Sequence, residues 1–105
     1  NLTTIRGVYD CNGMKISLKK DNSYEINSDD GKKTETGIYK FINNQDYVIF
    51  NLISKADKSL IEDNYFSVTI DNPDRIVLQP LILGFDSVKN KNVKPLVLTR
   101  KSSDN

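Results

Sequence analysis

The side chains that most often carry out chemistry are scarce in this chain. The 105-residue sequence contains no His, and its only cysteine is Cys11. Without His, neither a Ser-His-Asp nor a Cys-His nucleophilic site can form, and the usual general base near neutral pH is missing. The 5 glycines stand singly rather than in a phosphate-binding loop. We therefore expect a protein that is not an enzyme and that uses no cofactor.

Paired carboxylates and one pair of soft ligands are the remaining candidates for chemistry. Asp29 and Asp30 precede Gly31, so we interpret them as turn residues rather than as an acid–base pair. Cys11 and Met14 come nearest to a metal site, but two ligands make a poor site for Cu(I), and we predict no metal site. We interpret Cys11 as an inert, apolar residue at a strand end, with a reactive or metal-binding thiol as the alternative.

Charge and hydropathy restrict the partners. Lys and Arg number 15 against 14 Asp and Glu, so the chain has no strong field to recruit nucleic acid or an anionic membrane. No run of about eighteen apolar residues exists to form a membrane-spanning helix. The chain begins at Asn1 rather than Met, and we expect that a leader or lipid-attachment segment has been removed, or that the sequence has been trimmed. Membrane contact is then expected only through a removed lipid anchor.

Alternating side chains in the first half of the chain predict strands joined by tight turns. Met14, Ile16 and Leu18 alternate with polar residues, which places one apolar and one polar face on a pleated strand. The pattern resumes at Tyr24 and Ile26 and again over residues 34–41, after turns built from Asp and Asn or from Asp and Gly. Such a strand cannot stand alone, so the remaining chain must cover its apolar face.

Further strands are expected along the rest of the chain, at residues 5–10, 46–53, 64–71, 75–79 and 96–100. In the fifth strand Phe50 and Leu52 share one face while Ile49 lies on the other, so the strand is expected to be covered on both sides or to pack against a neighbouring segment. In the sixth, Phe66, Val68 and Ile70 are expected to point inward and Tyr65, Ser67 and Thr69 outward. Residues 54–63 predict a helical turn or a loop, and residues 86–94 a polar connection.

The predicted fold class follows from the number of strands and the shortness of their links. Ala56 is the only alanine, while β-branched and aromatic residues are plentiful, which favours an all-β protein with little helix. Eight antiparallel strands close most readily into an up-and-down barrel, because closure removes exposed strand edges. We predict one barrel domain over residues 1–105, and a Greek-key sandwich is the structural alternative.

The segment after the seventh strand is the candidate binding site. It is apolar, lies between Pro80 and Gly84, and lacks a clear alternation. If the segment is exposed, its large side chains mark a protein-partner surface or the mouth of a cavity for a small apolar ligand. If it folds inward, the same side chains plug the barrel. The residues concerned are Leu81, Ile82, Leu83 and Phe85.

Several motifs in the N-terminal half carry a family resemblance. The chain reads Gly7-Val8-Tyr9, Cys11-Asn12-Gly13, Ile16-Ser17-Leu18 with Asp21-Asn22-Ser23-Tyr24, and Glu35-Thr36-Gly37-Ile38-Tyr39. In these features it resembles the NlpE-like lipoproteins, small bacterial envelope proteins with a lipocalin-like barrel. The closing residues 96–101 look similar to the family's last strand. The relatives carry Cys-x-x-Cys in the link, associated with copper handling and redox sensing, whereas here Met14 occupies the second position.

A second resemblance is to periplasmic inhibitors of lysozyme, which are also small envelope β-barrels. Residues Val8-Tyr9-Asp10-Cys11 are similar to the Tyr-x-Cys near the start of those inhibitors. Their Ser-Gly-x-x-Tyr loop has its nearest counterpart in Thr36-Gly37-Ile38-Tyr39, with a different spacing.

Together these resemblances imply a location and a role. The chain is expected in the periplasm or at the outer membrane, lipid-anchored or secreted, as a lipocalin-like domain that binds a protein partner or a small apolar ligand. The alternatives are an inhibitor of a hydrolase such as lysozyme, inserting a polar turn such as Asp29-Asp30-Gly31, and a copper or redox sensor of envelope stress.

Overall fold

The residues that the structure describes form nine antiparallel strands. The computed structural model describes residues 5–43, 48–56, 60–61, 64–72, 74–82, 88–89 and 94–102. Among these residues it contains no α-helix, as the near-absence of alanine predicts. The strands are β1 Gly7–Cys11, β2 Met14–Leu18, β3 Ser23–Ser28, β4 Thr34–Asn43, β5 Val48–Ser54, β6 Tyr65–Asn72, β7 Arg75–Ile82, β8 Val88–Lys89 and β9 Leu96–Ser102.

Eight of these strands close into an up-and-down barrel. Strands β1 to β7 each pair with the next one along the chain, and β9 pairs with both β7 and β1. The closure confirms the predicted all-β, lipocalin-like barrel over the Greek-key sandwich. We call the end with the 12–13 and 29–33 turns the upper end, and the end with the 19–22 turn the lower end.

Local sequence explains the tight turns of the first hairpins. Asn12 and Gly13 link β1 to β2 with positive φ angles of 48° and 76°, the conformation that matches the twist of a two-residue hairpin. Asn22, with φ of 64°, serves the turn between β2 and β3. Asn and Gly reach this region at little steric cost, so the turns set the register of the first three strands.

The barrel interior is filled by the inward-facing side chains. Tyr9, Tyr24, Phe50 and Phe66 are all buried, and every second residue of β2 and β3 joins the same cluster, as the alternation predicts. The cluster extends beyond the strands to Ile5 near the lower end and to Ile61 near the upper end. Each of these two residues therefore closes one end of the barrel.

The structure corrects the predicted limits of several strands, most clearly those of the first and the seventh. The first strand begins at Gly7 rather than at residue 5, and Ile5 lies in a short 3₁₀ turn. The seventh strand continues past Gln79, through Pro80, to Ile82. Because the pairing of β7 with β9 ends at Leu78, a residue without an N–H is tolerated beyond that point.

One connection differs from its prediction, and another agrees with one of two predicted alternatives. The polar connection after β7 contains the short strand β8, which pairs with the last two residues of β7. This strand arises from long-range pairing, which local propensity does not encode. Between β5 and β6, the described residues form bends, which agrees with the predicted loop rather than with the helical turn.

The side-chain directions of β5 and β6 agree with the alternation, but their burial is less regular. Ile49 is buried although it lies on the opposite face of β5 from Phe50, which confirms that this strand is covered on both sides. Ser67, predicted to face outward, is also buried. Ile70, predicted to face inward, is 37% exposed, because it lies near the lower end beside a register shift in β6.

Within the part of the chain that the structure describes, there is no helix of the length and hydropathy needed to cross a bilayer.

Candidate binding surfaces

The predicted binding residue Leu81 lies on the outer wall of the barrel. Ile76 and Leu78 of the same strand join the interior cluster, so the alternation turns residue 81 to the opposite face. Leu81 is nevertheless only 8% exposed and is absent from the interior cluster. It therefore neither plugs the barrel nor stands free in solvent, but is covered on the outside of the wall.

The other three predicted binding residues are described less fully. Ile82 ends β7, and its backbone pairs with Val88 of β8. Leu83 and Phe85 lie outside the described residues, so their role in partner or ligand binding stays a prediction.

Isoleucines occupy outward positions of the β4–β5 hairpin, a feature that sequence reasoning missed. Ile38 pairs across the hairpin with Ile53, and Ile42 pairs with Ile49. Ile38 and Ile53 are each 38% exposed and Ile42 is 42% exposed, whereas Ile49 is buried. The outer face of an antiparallel sheet is normally polar. We call this group of four the isoleucine face; their alternation with inward residues was the available signal.

The isoleucine face continues sideways into a covered part of the wall. Ile49 pairs with Ser67 of β6, and Ser67 pairs with Gln79 of β7. Ser67 is buried, as is Leu81 two residues beyond Gln79 on the same side of β7. Leu81 and the isoleucine face therefore belong to one outward-facing region that spans β4 to β7.

A buried polar cluster lies at the upper end of the barrel. The side chain of Glu35 is 2% exposed, and its Oε2 accepts a hydrogen bond of 2.7 Å from the Tyr24 hydroxyl. Its Oε1 accepts a hydrogen bond of 2.5 Å from the backbone N–H of Leu60. One carboxylate oxygen is thus held by the barrel wall, and the other holds the chain that closes the upper end.

Gly37 provides the space for this cluster. It pairs directly with Tyr24, and a Cβ at position 37 would lie 2.5 Å from Cε2 of the tyrosine ring and 2.2 Å from the Ile53 carbonyl oxygen. Only glycine lets the ring cross the neighbouring strand so closely. The ring position in turn directs the tyrosine hydroxyl to Glu35.

Burial also changes the proton affinity of the interior tyrosines. Burial raises the pKa of Tyr24, and its hydrogen bond to Glu35 raises it further. Burial raises the pKa of Tyr39, whose hydroxyl donates to the Lys19 carbonyl oxygen at 2.6 Å. Burial raises the pKa of Tyr9 as well, against the opposing effect of Arg100. All three are therefore neutral hydrogen-bond donors at neutral pH.

The Asp29–Asp30–Gly31 segment forms an exposed and well-braced turn. The Oδ1 atom of Asp30 accepts hydrogen bonds from the Ser28 hydroxyl at 2.6 Å and from the Lys32 backbone N–H at 2.9 Å. The hydrogen bond from Ser28 is the main cause that lowers the pKa of Asp30. The Asp29 backbone N–H donates to the Gly13 carbonyl oxygen of the neighbouring turn. The two carboxylates thus serve as turn residues.

Cys11 and Met14 face one another across the first hairpin. They are register partners at the end of the β1–β2 ladder. Cys11 is buried in the interior cluster, and burial raises the pKa of its thiol. Among the residues the structure describes, no cluster of three or more potential metal ligands occurs. A protonated thiol in an apolar setting is a poor nucleophile and a poor metal ligand.

Comparison with known proteins adds no relatives, since no family model, curated protein or solved structure matches the chain. The motif residues that carry the resemblance to envelope lipoproteins have structural roles here. Glu35 accepts the hydrogen bond of the Tyr24 hydroxyl, and Gly37 leaves space for the Tyr24 ring. Tyr39 donates a hydrogen bond to the turn at the lower end. The motif is therefore accounted for by the requirements of the barrel.

Proposed function

We propose that this chain is a non-enzymatic binding domain of the bacterial cell envelope, and that its isoleucine face binds a protein partner. The observation that carries the proposal is the exposure of three isoleucines on the outer wall of β4 and β5: the cross-strand pair Ile38–Ile53, and Ile42 beyond the Lys40–Asn51 pair. Large apolar side chains that adjoin one another on a surface mark interaction sites far more often than single exposed ones. The envelope location rests on the motif resemblance alone.

The filled interior also favours a partner on the outside. The largest fully buried side chains include Tyr9, Tyr24, Phe50 and Phe66, all directed into the barrel. An eight-stranded barrel is just wide enough either to be filled by side chains or to hold one small ligand. Because large aromatic residues fill the interior, we infer that the barrel binds its partner through the outer surface.

The test replaces exposed isoleucines with threonine, which keeps the β-branched shape but removes apolar surface. We expect the Ile38→Thr/Ile53→Thr protein to lose its partner in affinity capture from an envelope extract of the native organism, with bound proteins identified by mass spectrometry. The matched control is Ile70→Thr, because Ile70 is 37% exposed but lies on β6 near the lower end.

The supporting result is one identified protein that the wild-type and Ile70→Thr proteins retain and the double variant does not. Equal capture by all three proteins would contradict the proposal. Self-association of the wild type in sedimentation experiments, abolished in the double variant, would instead assign the face to a second copy. Fractionation of the full-length protein in its own cells tests the envelope location.

The predicted segment after β7 supplies a second arm of the same test. Leu81 lies on the outward-facing region that includes the isoleucine face. We expect Leu83→Ser/Phe85→Ser to abolish partner capture as well while the barrel stays folded. Unchanged capture would remove residues 83 and 85 from the binding site and leave the isoleucine face as the contact.

A second candidate function is inhibition of a hydrolase by the 29–33 turn. The observation that favours it is the bracing of this exposed turn by hydrogen bonds from Ser28 and Lys32 to Asp30. A turn held in one conformation loses little entropy when it enters an enzyme cleft, which is how preorganised loops achieve affinity.

An inhibition assay against lysozymes tests this candidate. We expect the wild type to inhibit at micromolar concentrations and Asp30→Ala to lose inhibition. The control is Asp21→Ala at the lower end, where Asp21 accepts analogous hydrogen bonds from the Ser23 backbone N–H and hydroxyl. No inhibition by the wild type, or equal loss in both variants, would reject the inhibitor function.

A further inference from the structure

The upper end of the barrel is closed by two residues that do not belong to the wall. Leu60 packs against the interior cluster and Ile61 is part of it, and we call this pair the upper stopper. They follow β5 and precede β6 along the chain. Met14 and Leu96, at the upper ends of β2 and β9, pack against the same cluster. The stopper therefore lies at an end of the barrel where the rim is also apolar.

The stopper is joined to the wall through the acceptor Oε1 of Glu35. Oε2 of the same carboxylate is held by Tyr24, whose ring is seated over Gly37 in β4. The barrel wall therefore holds one oxygen of the carboxylate, whereas the Leu60 N–H on the other oxygen is a partner that the chain supplies from outside the strands. An acceptor fixed in an apolar site in this way is complementary to a molecule that brings its own donor.

We propose that the upper stopper is displaceable and that the site it closes binds an aliphatic molecule with one N–H or O–H donor. The aliphatic body replaces the side chains of Leu60 and Ile61, and the donor replaces the Leu60 N–H on Glu35. The stopper itself thus defines the chemistry of the ligand. This site is separate from the isoleucine face, so the proposal does not depend on whether a partner binds to that face.

A pair of small molecules that differ in one donor tests the proposal on the intact protein. Octanol carries an O–H, and heptyl methyl ether has the same chain length without one. In ¹⁵N-resolved NMR titrations we expect octanol to shift the amide resonances of Glu35, Leu60 and Ile61 with a saturable curve. The ether should bind about tenfold more weakly, since it leaves the buried acceptor unpaired. Equal affinities, or octanol shifts that do not saturate, would overturn the proposal.

Substitutions at Glu35 identify the acceptor. Glu35→Gln keeps a side-chain oxygen and should retain the preference for the alcohol, whereas Glu35→Ala should lose it. Tyr39→Phe is the control, because it removes a comparable tyrosine hydrogen bond at the lower end and should leave both affinities unchanged. Retention of the preference in a folded Glu35→Ala protein would contradict the assignment.

A smaller stopper gives a readout that does not depend on the alanine variant at residue 35. Leu60→Ala/Ile61→Ala leaves Glu35 in place but gives up less apolar contact when it is displaced. We expect this protein to bind octanol about tenfold more tightly than the wild type. Unchanged or weaker binding in the folded double variant would show that octanol does not compete with the stopper.

Discussion

At the scale of single residues, one glycine and one tyrosine together organise the upper half of the barrel. Gly37 lacks the Cβ that would block the Tyr24 ring, and the ring places its hydroxyl on the buried Glu35. A buried carboxylate is costly unless it is hydrogen-bonded, so the fold depends on this arrangement. The need for glycine here arises from a neighbouring strand and not from a turn.

Adding one methyl group at Gly37 should therefore destabilise the protein strongly. The new Cβ would lie 2.2 Å from the Ile53 carbonyl oxygen, which belongs to the sheet backbone and cannot move aside. We expect Gly37→Ala to lower the free energy of unfolding, measured by urea denaturation, by about 3 kcal/mol.

Gly31→Ala is the matched control for that substitution. Position 31 has a positive φ of 74° and open space around it, so the cost there is backbone strain alone, about 1 kcal/mol. A Gly37→Ala protein no less stable than Gly31→Ala would show that the wall adjusts to the extra methyl group.

The buried tyrosines predict a loss of stability at alkaline pH. The folded state raises the pKa of Tyr9, Tyr24 and Tyr39 above the ordinary value of 10.0, and that of Cys11 above 9.0. The stability linked to these groups is fully present below the ordinary values and is lost as the pH rises through the folded ones. We expect the urea midpoint to fall from about pH 9 upward, and to fall less steeply in Tyr24→Phe. A midpoint that rises or stays level above that pH would contradict the raised values.

At the scale of secondary-structure elements, the strand pairings differ in extent. The β4–β5 ladder joins seven residue pairs, and the β6–β7 ladder joins six. The β5–β6 ladder joins only three, at Ile49, Phe50 and Asn51 of β5. Beyond Asn51, one further backbone hydrogen bond runs from the Leu52 N–H to the Asn64 carbonyl oxygen. The chain that carries the upper stopper therefore follows one of the two shortest ladders of the barrel, the other being the three-pair β1–β9 ladder.

The difference in ladder length predicts that the β5–β6 pairing opens before the longer β3–β4 pairing. Short ladders protect fewer amides, and local opening draws on the least stable pairings. In native-state hydrogen exchange followed by NMR, we expect the β6 amides paired with β5 to exchange faster than the β3 amides paired with β4. Octanol, which is proposed to displace the stopper, should change exchange at Leu60 before it changes exchange in β3. Uniform protection across all strands would contradict a weak β5–β6 seam.

At the scale of the whole molecule, the barrel is closed by its first and last strands. Arg100 of β9 donates hydrogen bonds to the Arg6 carbonyl oxygen at 2.5 Å and to the Tyr9 hydroxyl at 2.7 Å. Its guanidinium carbon lies 4.9 Å from the centre of the Tyr9 ring, and its Nε lies 3.8 Å from Asp74. One side chain thus joins the start of the chain, its last strand and the β6–β7 turn.

Replacing Arg100 with lysine should weaken the closure although the charge remains. Lysine cannot reproduce the planar, multi-directional hydrogen bonding of a guanidinium, nor its stacking on a ring. We expect Arg100→Lys to lower the free energy of unfolding by about 2 kcal/mol. In the control, Lys101→Met removes an exposed ion pair with Asp10 and should cost less than about 1 kcal/mol. Equal effects of the two substitutions on urea denaturation would show that Arg100 acts only through its charge.

The all-β barrel itself was predictable from the sequence. Alternation in β2 places Ile16 and Leu18 in the interior, as found, because a pleated strand has two faces whatever surrounds it. The links Asn12-Gly13 and Asp21-Asn22 are turns for reasons contained in their own backbone preferences. The absence of histidine and the turn role of the paired aspartates could also be read from the sequence. The first depends on composition alone, and the second depends on neighbouring residues.

Only the tertiary structure decided which residues on each face of the sheet are buried and which partners they contact. Alternation assigns Ile49 and Ser67 to the outward side, and β7 extends far enough to place Leu81 there as well, but all three are buried, and no local pattern records that. In the sequence, Glu35 is an ordinary strand carboxylate. Only in the folded chain does it accept hydrogen bonds from the Tyr24 hydroxyl of β3 and from the Leu60 N–H of the stopper. Sequence alone determined which side chains share a face, because that depends on backbone geometry. Burial and partners were decided by contacts between residues far apart in the chain.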